Sequence, residues 1–335
     1  MNAALRSPRA PRANRTIRLL QNLATGLLLG MLTLRAETTV TEPVNRPLRL
    51  GFSIQLLSGL NVSEARAAVR TITAAISREK DIPADPDPVI TQTLAEAEEA
   101  LRTKAIDALG VTMTEFWALR VKTSFDRYVF PCSQGSPEES YLLIVAKRSP
   151  IQSLQDLKGK KILIHSGSRT CLARPWLDVE LSKANLPATA NFFSSVTTPD
   201  KALKTVLPVF FGQVDACLVT RRSFDTVIEM NPQIGRELRI IASSPTYVPL
   251  IMAFRSDFSA TTKQAVIREC GLMHTSTYGQ QGMMIIQTQQ IIEHPFSITA
   301  SSLALLDEHA KLFTTANGSD HAPLQQPSKP DTEAP

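Results

Sequence analysis

The stretch 151–181, IQSLQDLKGKKILIHSGSRTCLARPWLDVEL, constrains this chain more than any other. A polar run over 153–161 leads into Ile162, Leu163, Ile164 and His165. A small polar loop follows, Ser166-Gly167-Ser168-Arg169-Thr170, and then an amphipathic segment from near Cys171. The apolar run is too short for a helix, and Gly167 permits a turn, so the reading is strand, tight loop, helix. The helix start would aim unpaired N–H groups and its positive dipole end into a loop holding three hydroxyls and a guanidinium. Folds build anion sites in this way. Ser166, Ser168, Arg169, Thr170 and Cys171 are therefore candidate ligand contacts. Arg169 either grips an oxyanion with two hydrogen bonds or points to solvent.

Upstream, residues 48–54 alternate like a first strand. Asn61 with Glu64 three residues on reads as a helix cap, and Ala65, Ala68, Val69, Ile72 and Ile76 follow at helical spacing. Three prolines in 81–88 end that helix. Val89-Ile90 reads as a second strand, 93–102 as a helix and 106–111 as a third strand. Strand and helix alternate, which predicts mostly parallel sheet covered on both faces. Such sheets place ligands beyond the carboxyl ends of their strands, which selects Ser53 and Gln55 after the first, and Thr112, Thr114 and Trp117 after the third. Phe116 and Trp117 also suit core packing.

The apolar run Tyr141-Leu142-Leu143-Ile144-Val145-Ala146 reads as a central strand carrying the chain into a second lobe. Beyond 181, Asn191-Phe192-Phe193 reads as a short strand and 200–207 as a helix. Gly212-Gln213-Val214-Asp215-Ala216 is a turn into a buried strand, 238–242 is one more strand, and 250–254 is the return crossing. Helices are expected from Ser259 onward. Asp215 either meets a ligand amine or serves as a cap or hinge contact.

Two of these stretches carry a family resemblance. Ser153-Leu154-Gln155-Asp156-Leu157-Lys158-Gly159-Lys160-Lys161 with its strand and loop, and the Gly-x-Val-Asp-Ala element, resemble type II periplasmic solute-binding proteins. The likeness is greatest to the phosphate, phosphite and phosphonate binders that serve ABC importers, and it spans about 48–312. It implies an α/β, two-lobed type II periplasmic binding protein fold, each lobe a mostly parallel sheet flanked by helices, with a hinge of two crossing strands near 141–146 and 250–254. It implies capture of a small anionic ligand, a phosphonate-, phosphite- or phosphate-like oxyanion, for ABC permease subunits in the inner membrane. A receptor for a membrane sensor and an enzyme on the same fold are the alternatives. The expected layout is 1–36 signal peptide, 37–142 first part of lobe one, 143–250 lobe two, 251–316 C-terminal helices completing the lobes, and 317–335 disordered tail.

Charge supports an exported protein. The segment 1–36 holds six arginines and no acid, which leaves 30 basic against 31 acidic residues elsewhere. The basic excess is thus a property of the N-terminus and gives no sign of a nucleic-acid surface. An apolar core over 23–34 follows, signal-peptide length and short for a span, with Ala36 as the cleavage point and an uncleaved anchor as the alternative. The periplasm is the expected location. Five scattered histidines lack zinc spacing, and no nucleophile elbow, P-loop or dinucleotide fingerprint occurs, so neither an enzyme nor a cofactor is expected. His165 is either a ligand contact or a structural group. Cys132, Cys171, Cys217 and Cys270 lie far apart in sequence, and no disulfide is expected.

Overall fold

A computed structural model describes residues 46–57, 59–80 and 84–316. The signal peptide and tail expected at 1–36 and 317–335 lie outside the described residues. Chain alternation builds the first sheet: β1 (Leu50–Ser53) pairs in parallel with β2 (Val89–Thr91) and β3 (Ala108–Thr112). Between them run α1 (Val62–Lys80) and α2 (Leu94–Arg102). The expected box forms at the start of α1, where the Asn61 and Glu64 side chains each accept the other's N–H at 3.0 Å. The short helix α3 (Met113–Leu119) follows β3 without a loop.

The second sheet has the order β7-β6-β8-β5-β9. Its strands are β5 (Tyr141–Ala146), β6 (Lys161–Ile164), β7 (Ser195–Thr197), β8 (Ala216–Thr220) and β9 (Leu238–Ser243). Around it lie α4 (Ala173–Lys183), α5 (Thr189–Phe192), α6 (Ala202–Phe210), α7 (Arg221–Met230) and α8 (Pro232–Glu237). The stretch 191–193, expected as a strand, ends the short helix α5 instead, and the strand β7 follows it. Phe192 and Phe193 are both buried, and a brief apolar pair satisfies either period.

Two strands return the chain to the first sheet, whose order is β11-β4-β10-β3-β1-β2. Here β4 (Phe125–Cys132) precedes the crossing into the second lobe, β10 (Leu250–Arg255) follows the return, and β11 (Gln290–Glu293) forms the edge. The C-terminal part is therefore helix plus one edge strand: α9 (Ala260–Leu272), α10 (Thr277–Ile285), β11 and α11 (Ala300–Ala316). Both sheets are mixed rather than mostly parallel. β10 runs against β3 and β4, and β5 runs against β8 and β9, because a chain that leaves and re-enters a lobe arrives in the opposite direction.

β5 shows why this stretch is apolar throughout. Tyr141, Leu143 and Val145 face a core that also takes in Leu109 and Phe116 of the first lobe and Leu305 of α11. Leu142, Ile144 and Ala146 face a second core with Val206, Val209 and Phe224. Full burial of each Leu, Ile or Val among them stabilises by roughly 1.5–3 kcal/mol.

The chain crosses between sheets at 133–140 and 244–249, and the two connectors pair with each other. Glu139 and Tyr247 exchange backbone hydrogen bonds of 2.8 Å, and Ser244 N–H donates to the Tyr141 carbonyl at 2.9 Å. α11 braces the same region. Its Ser302 hydroxyl accepts from the Val248 N–H at 2.8 Å. Asp307 accepts from Trp117 Nε1 of α3 at 2.7 Å, and His309 Nε2 meets Asp178 of α4 at 3.1 Å.

Burial alone would raise the Asp178 pKa, but the contacts from His309 and Thr189 outweigh it and hold the carboxyl below its ordinary value. A depressed native pKa stabilises the fold above the unfolded pKa, and that contribution is lost as pH falls through the native one. Melting temperatures followed from about pH 6 to about pH 3 should therefore fall less steeply for Asp178→Asn than for the parent. Equal slopes would remove Asp178 from the acid response.

Candidate functional site

The carboxyl ends of β1, β3, β6 and β8 all face the connectors, the place where open α/β sheets carry ligands. Beyond β6, His165 and Ser166 donate backbone N–H groups to Leu218 at 2.9 Å and Pro199 at 2.8 Å. The Ser166 hydroxyl donates to the carbonyls of Thr198 and Pro199, at 3.2 and 3.1 Å. Gly167 is extended, with φ −172, so the loop does not need glycine for its backbone. A 3₁₀ turn, Ser168–Thr170, follows, and the Thr170 hydroxyl donates back to the Gly167 carbonyl at 2.8 Å. α4 begins only at Ala173, two residues past the expected start. Ser168 and Thr170 are buried, and the Ser166 and Thr170 protons are engaged by main-chain carbonyls.

Arg169 is a connector residue as much as a loop residue. Its carbonyl accepts from the Tyr141 hydroxyl at 3.1 Å. Its Nη1 donates to Glu139 Oε1 at 3.2 Å, and its Nε and Nη2 donate to the Gln287 carbonyl at 3.3 and 3.1 Å. The side chain thus reaches from the second lobe to the turn ahead of β11 in the first. Arg222, in the first turn of α7, places its Nε on the same Glu139 oxygen at 3.2 Å, and its Nη2 lies 3.4 Å from the Ser133 carbonyl. Glu139 is 2% exposed, Arg169 11% and Arg222 30%. Burial lowers the Arg169 pKa; Glu139 opposes that shift, and the nearby Arg222 charge adds to it. Neither Glu139 nor Arg222 stands out in the sequence. The one local hint was a basic pair directly after a buried strand.

The first lobe contributes a carboxylate. Glu115 accepts from the Ser53 hydroxyl at 2.5 Å, and from the Thr112 hydroxyl and N–H at 2.7 and 3.0 Å. The Thr112 and Thr114 hydroxyls lie 3.0 Å apart. Gln55 is exposed, with its N–H on the Ser53 hydroxyl at 3.1 Å. Cys171 crosses from the other lobe: its thiol donates to the Pro249 carbonyl at 3.3 Å and lies against the backbone N–H groups of Met113 and Thr114. Burial pushes that thiol up to about 12. Burial also lowers the His165 pKa, and its Nδ1 has no partner among the described residues.

The structure thus gathers Ser53, Gln55, Thr112, Ser166, Ser168, Arg169, Thr170 and Cys171 around the strand ends. Two expected contacts lie elsewhere. Trp117 is taken up by the brace, bonded to Asp307 and covered by the Arg120 guanidinium 5.0 Å from its ring. Asp215 accepts the Lys161 N–H at 2.8 Å, at the amino ends of β6 and β8 and so opposite the loop. Among the described residues, no group of His, Cys, Asp and Glu is placed to hold a metal ion.

Residues 54–296 match the family described as "ABC transporter, phosphonate, periplasmic substrate-binding protein". No curated protein sequence matches the chain. Among solved structures, XAC2383 from Xanthomonas citri bound to ATP is similar with a TM-score of 0.56 at 14% identity, covering 82% of this chain and 99% of that one. PhnD1 from Prochlorococcus marinus in complex with methylphosphonate gives 0.54 at 14% identity, covering 80% and 98%. A binding protein component of an ABC phosphonate transporter from Pseudomonas aeruginosa gives 0.51 at 15%, covering 81% and 98%. At such identities the structural likeness shows the fold.

Burial is the largest influence on each thiol and sets its reactivity. It raises Cys132 to about 11, Cys171 and Cys270 to about 12, and Cys217 further. A thiol reagent at about pH 8 should therefore label the native protein slowly and the urea-unfolded protein fast, since only thiolate reacts. A fast-labelling Cys171 in the native protein would contradict the closed contact with Pro249.

Proposed function

Because the chain belongs to the periplasmic substrate-binding proteins of phosphonate ABC transporters, a family of binding components rather than enzymes, we propose that it captures a small oxyanion between its lobes and hands it to permease subunits of an importer in the inner membrane. The ligand lies between the 165–172 loop and the ends of β1 and β3, beside the paired connectors. One observation carries the reading: two guanidiniums share a single carboxylate oxygen at the place where strand ends of both sheets converge. This leaves positive charge in a partly buried setting, where it attracts an anion more strongly than in water. Solved structures of similar fold hold oxyanions, methylphosphonate in one and ATP in another, which supports capture of an oxyanion here. Ser53, Gln55, Thr112, Ser166, Ser168, Thr170 and Cys171 form the polar wall.

The arginine-studded, apolar N-terminus supports export to the periplasm, where such a protein meets its solute. No helix among the described residues is long and apolar enough to cross a membrane.

Ligand bound only by the folded state stabilises it, by about 2.7 kcal/mol at a hundredfold excess over Kd. In a protein of this size that is a rise in melting temperature of roughly 4–5 °C. A panel of phosphate, phosphite, methylphosphonate, sulfate, methanesulfonate and acetate, tested on the mature protein, should contain at least one ligand that gives such a rise. A flat response across the panel would overturn oxyanion capture.

A further inference from the structure

We propose that Arg222, paired with Arg169 on Glu139, reads the ligand's charge and selects a singly charged oxyanion group, a sulfonate or carboxylate, over a doubly charged one. This inference rests on the oxyanion reading above and names the ligand class of the same site. Arg169 is mostly engaged. Three of its five N–H groups are bonded to Glu139 and the Gln287 carbonyl, and its side chain is only 11% exposed, so it chiefly supplies charge. Arg222 is different. It is 30% exposed, its Nε is held by Glu139, and its Nη1 has no partner among the described residues. It stands in the first turn of α7, at the carboxyl end of β8, on the ligand side of the sheet.

Two guanidiniums and one carboxylate leave one net positive charge. A monoanion cancels it. A dianion leaves one uncompensated negative charge in a poorly solvated place, which is costly. The thiol and the phenol closest to the cluster do not alter this count near neutral pH. Burial raises the Cys132 thiol to about 11 and lifts the Tyr141 phenol well above its ordinary value. Glu115, on the β1 and β3 side, already holds the Ser53 and Thr112 hydroxyls, and its negative charge counts further against a dianion.

Methanesulfonate and methylphosphonate share a shape, and at about pH 8 the first carries one charge and the second mostly two. Calorimetry on the mature protein should find methanesulfonate tighter by about tenfold or more. Glu139→Gln keeps a hydrogen-bond acceptor and adds one net positive charge, so it should move the preference toward methylphosphonate by about tenfold or more. Arg222→Gln removes one positive charge, so it should weaken both ligands by about tenfold or more, methylphosphonate more than methanesulfonate. Circular dichroism and melting curves check that each variant is folded; if Glu139→Gln is not, Arg222→Gln alone decides the matter. An unchanged preference in folded Glu139→Gln, or parental affinity in Arg222→Gln, overturns the proposal. If a panel oxyanion binds the parent but methylphosphonate is the tighter of the pair, the charge rule fails while capture stands. If no panel oxyanion binds the parent, capture fails with it.

Discussion

The antiparallel pairing of the two connectors is the constraint on which the rest of the site depends. Glu139 lies in that ladder, with its N–H and carbonyl on Tyr247 and its carboxylate on Arg169 and Arg222. One residue thus fixes the crossing and positions cations from the β6 loop and the start of α7. Removing one partner of such a buried ion pair typically costs 3–5 kcal/mol, because the remaining charge stays desolvated. The ladder uses the backbone of Glu139 and the cation cluster its side chain, so the crossing sets where the cluster stands.

The features legible in the sequence are those that depend on neighbours. The Asn61–Glu64 box, the turn into β8 and the apolar run of β5 are local, and each stands where its residue pattern places it. β5 is apolar throughout because cores press on both its faces, so it shows no alternation. Less legible were the elements whose identity is decided by distant partners. β11 is a short run with half-buried residues, and only pairing with β4 makes it a strand. Thr189 of the short helix α5 is tied by its N–H to Asp178, which a reading of 191–193 in isolation does not contain. Strand direction was hidden for the same reason: alternation of strand and helix shows parallel pairs but not where the chain leaves the sheet.

The placement of the polar loop was legible, and its contacts were less so. A polar loop after β6 does face the strand ends of the other lobe. Its hydroxyl protons, however, are taken by carbonyls of the loop and its neighbours, and its arginine binds a carboxylate 30 residues earlier in the chain. Arg222 meets Glu139 across 83 residues, a distance no local pattern spans. Trp117 and Asp215 were chosen for residue type at suitable spacings. Type alone did not distinguish a ligand contact from a brace or from the amino end of a strand.

These contacts also join ligand capture to lobe closure. Arg169 reaches Gln287 and Cys171 reaches Pro249, so the loop proposed to face the ligand also spans the lobes. Any opening of the lobes about the connectors lengthens these contacts, while the Glu139 ladder within the connectors is retained. A ligand held against that loop from both sides therefore interacts differently with the open and closed arrangements. Such differential interaction is what allows binding to shift the balance between two conformations. The brace sets how far that shift can travel. α11 is bonded to α3 through Asp307 and to α4 through His309, so a rotation of one lobe must either carry the helix with it or break one of these two ends.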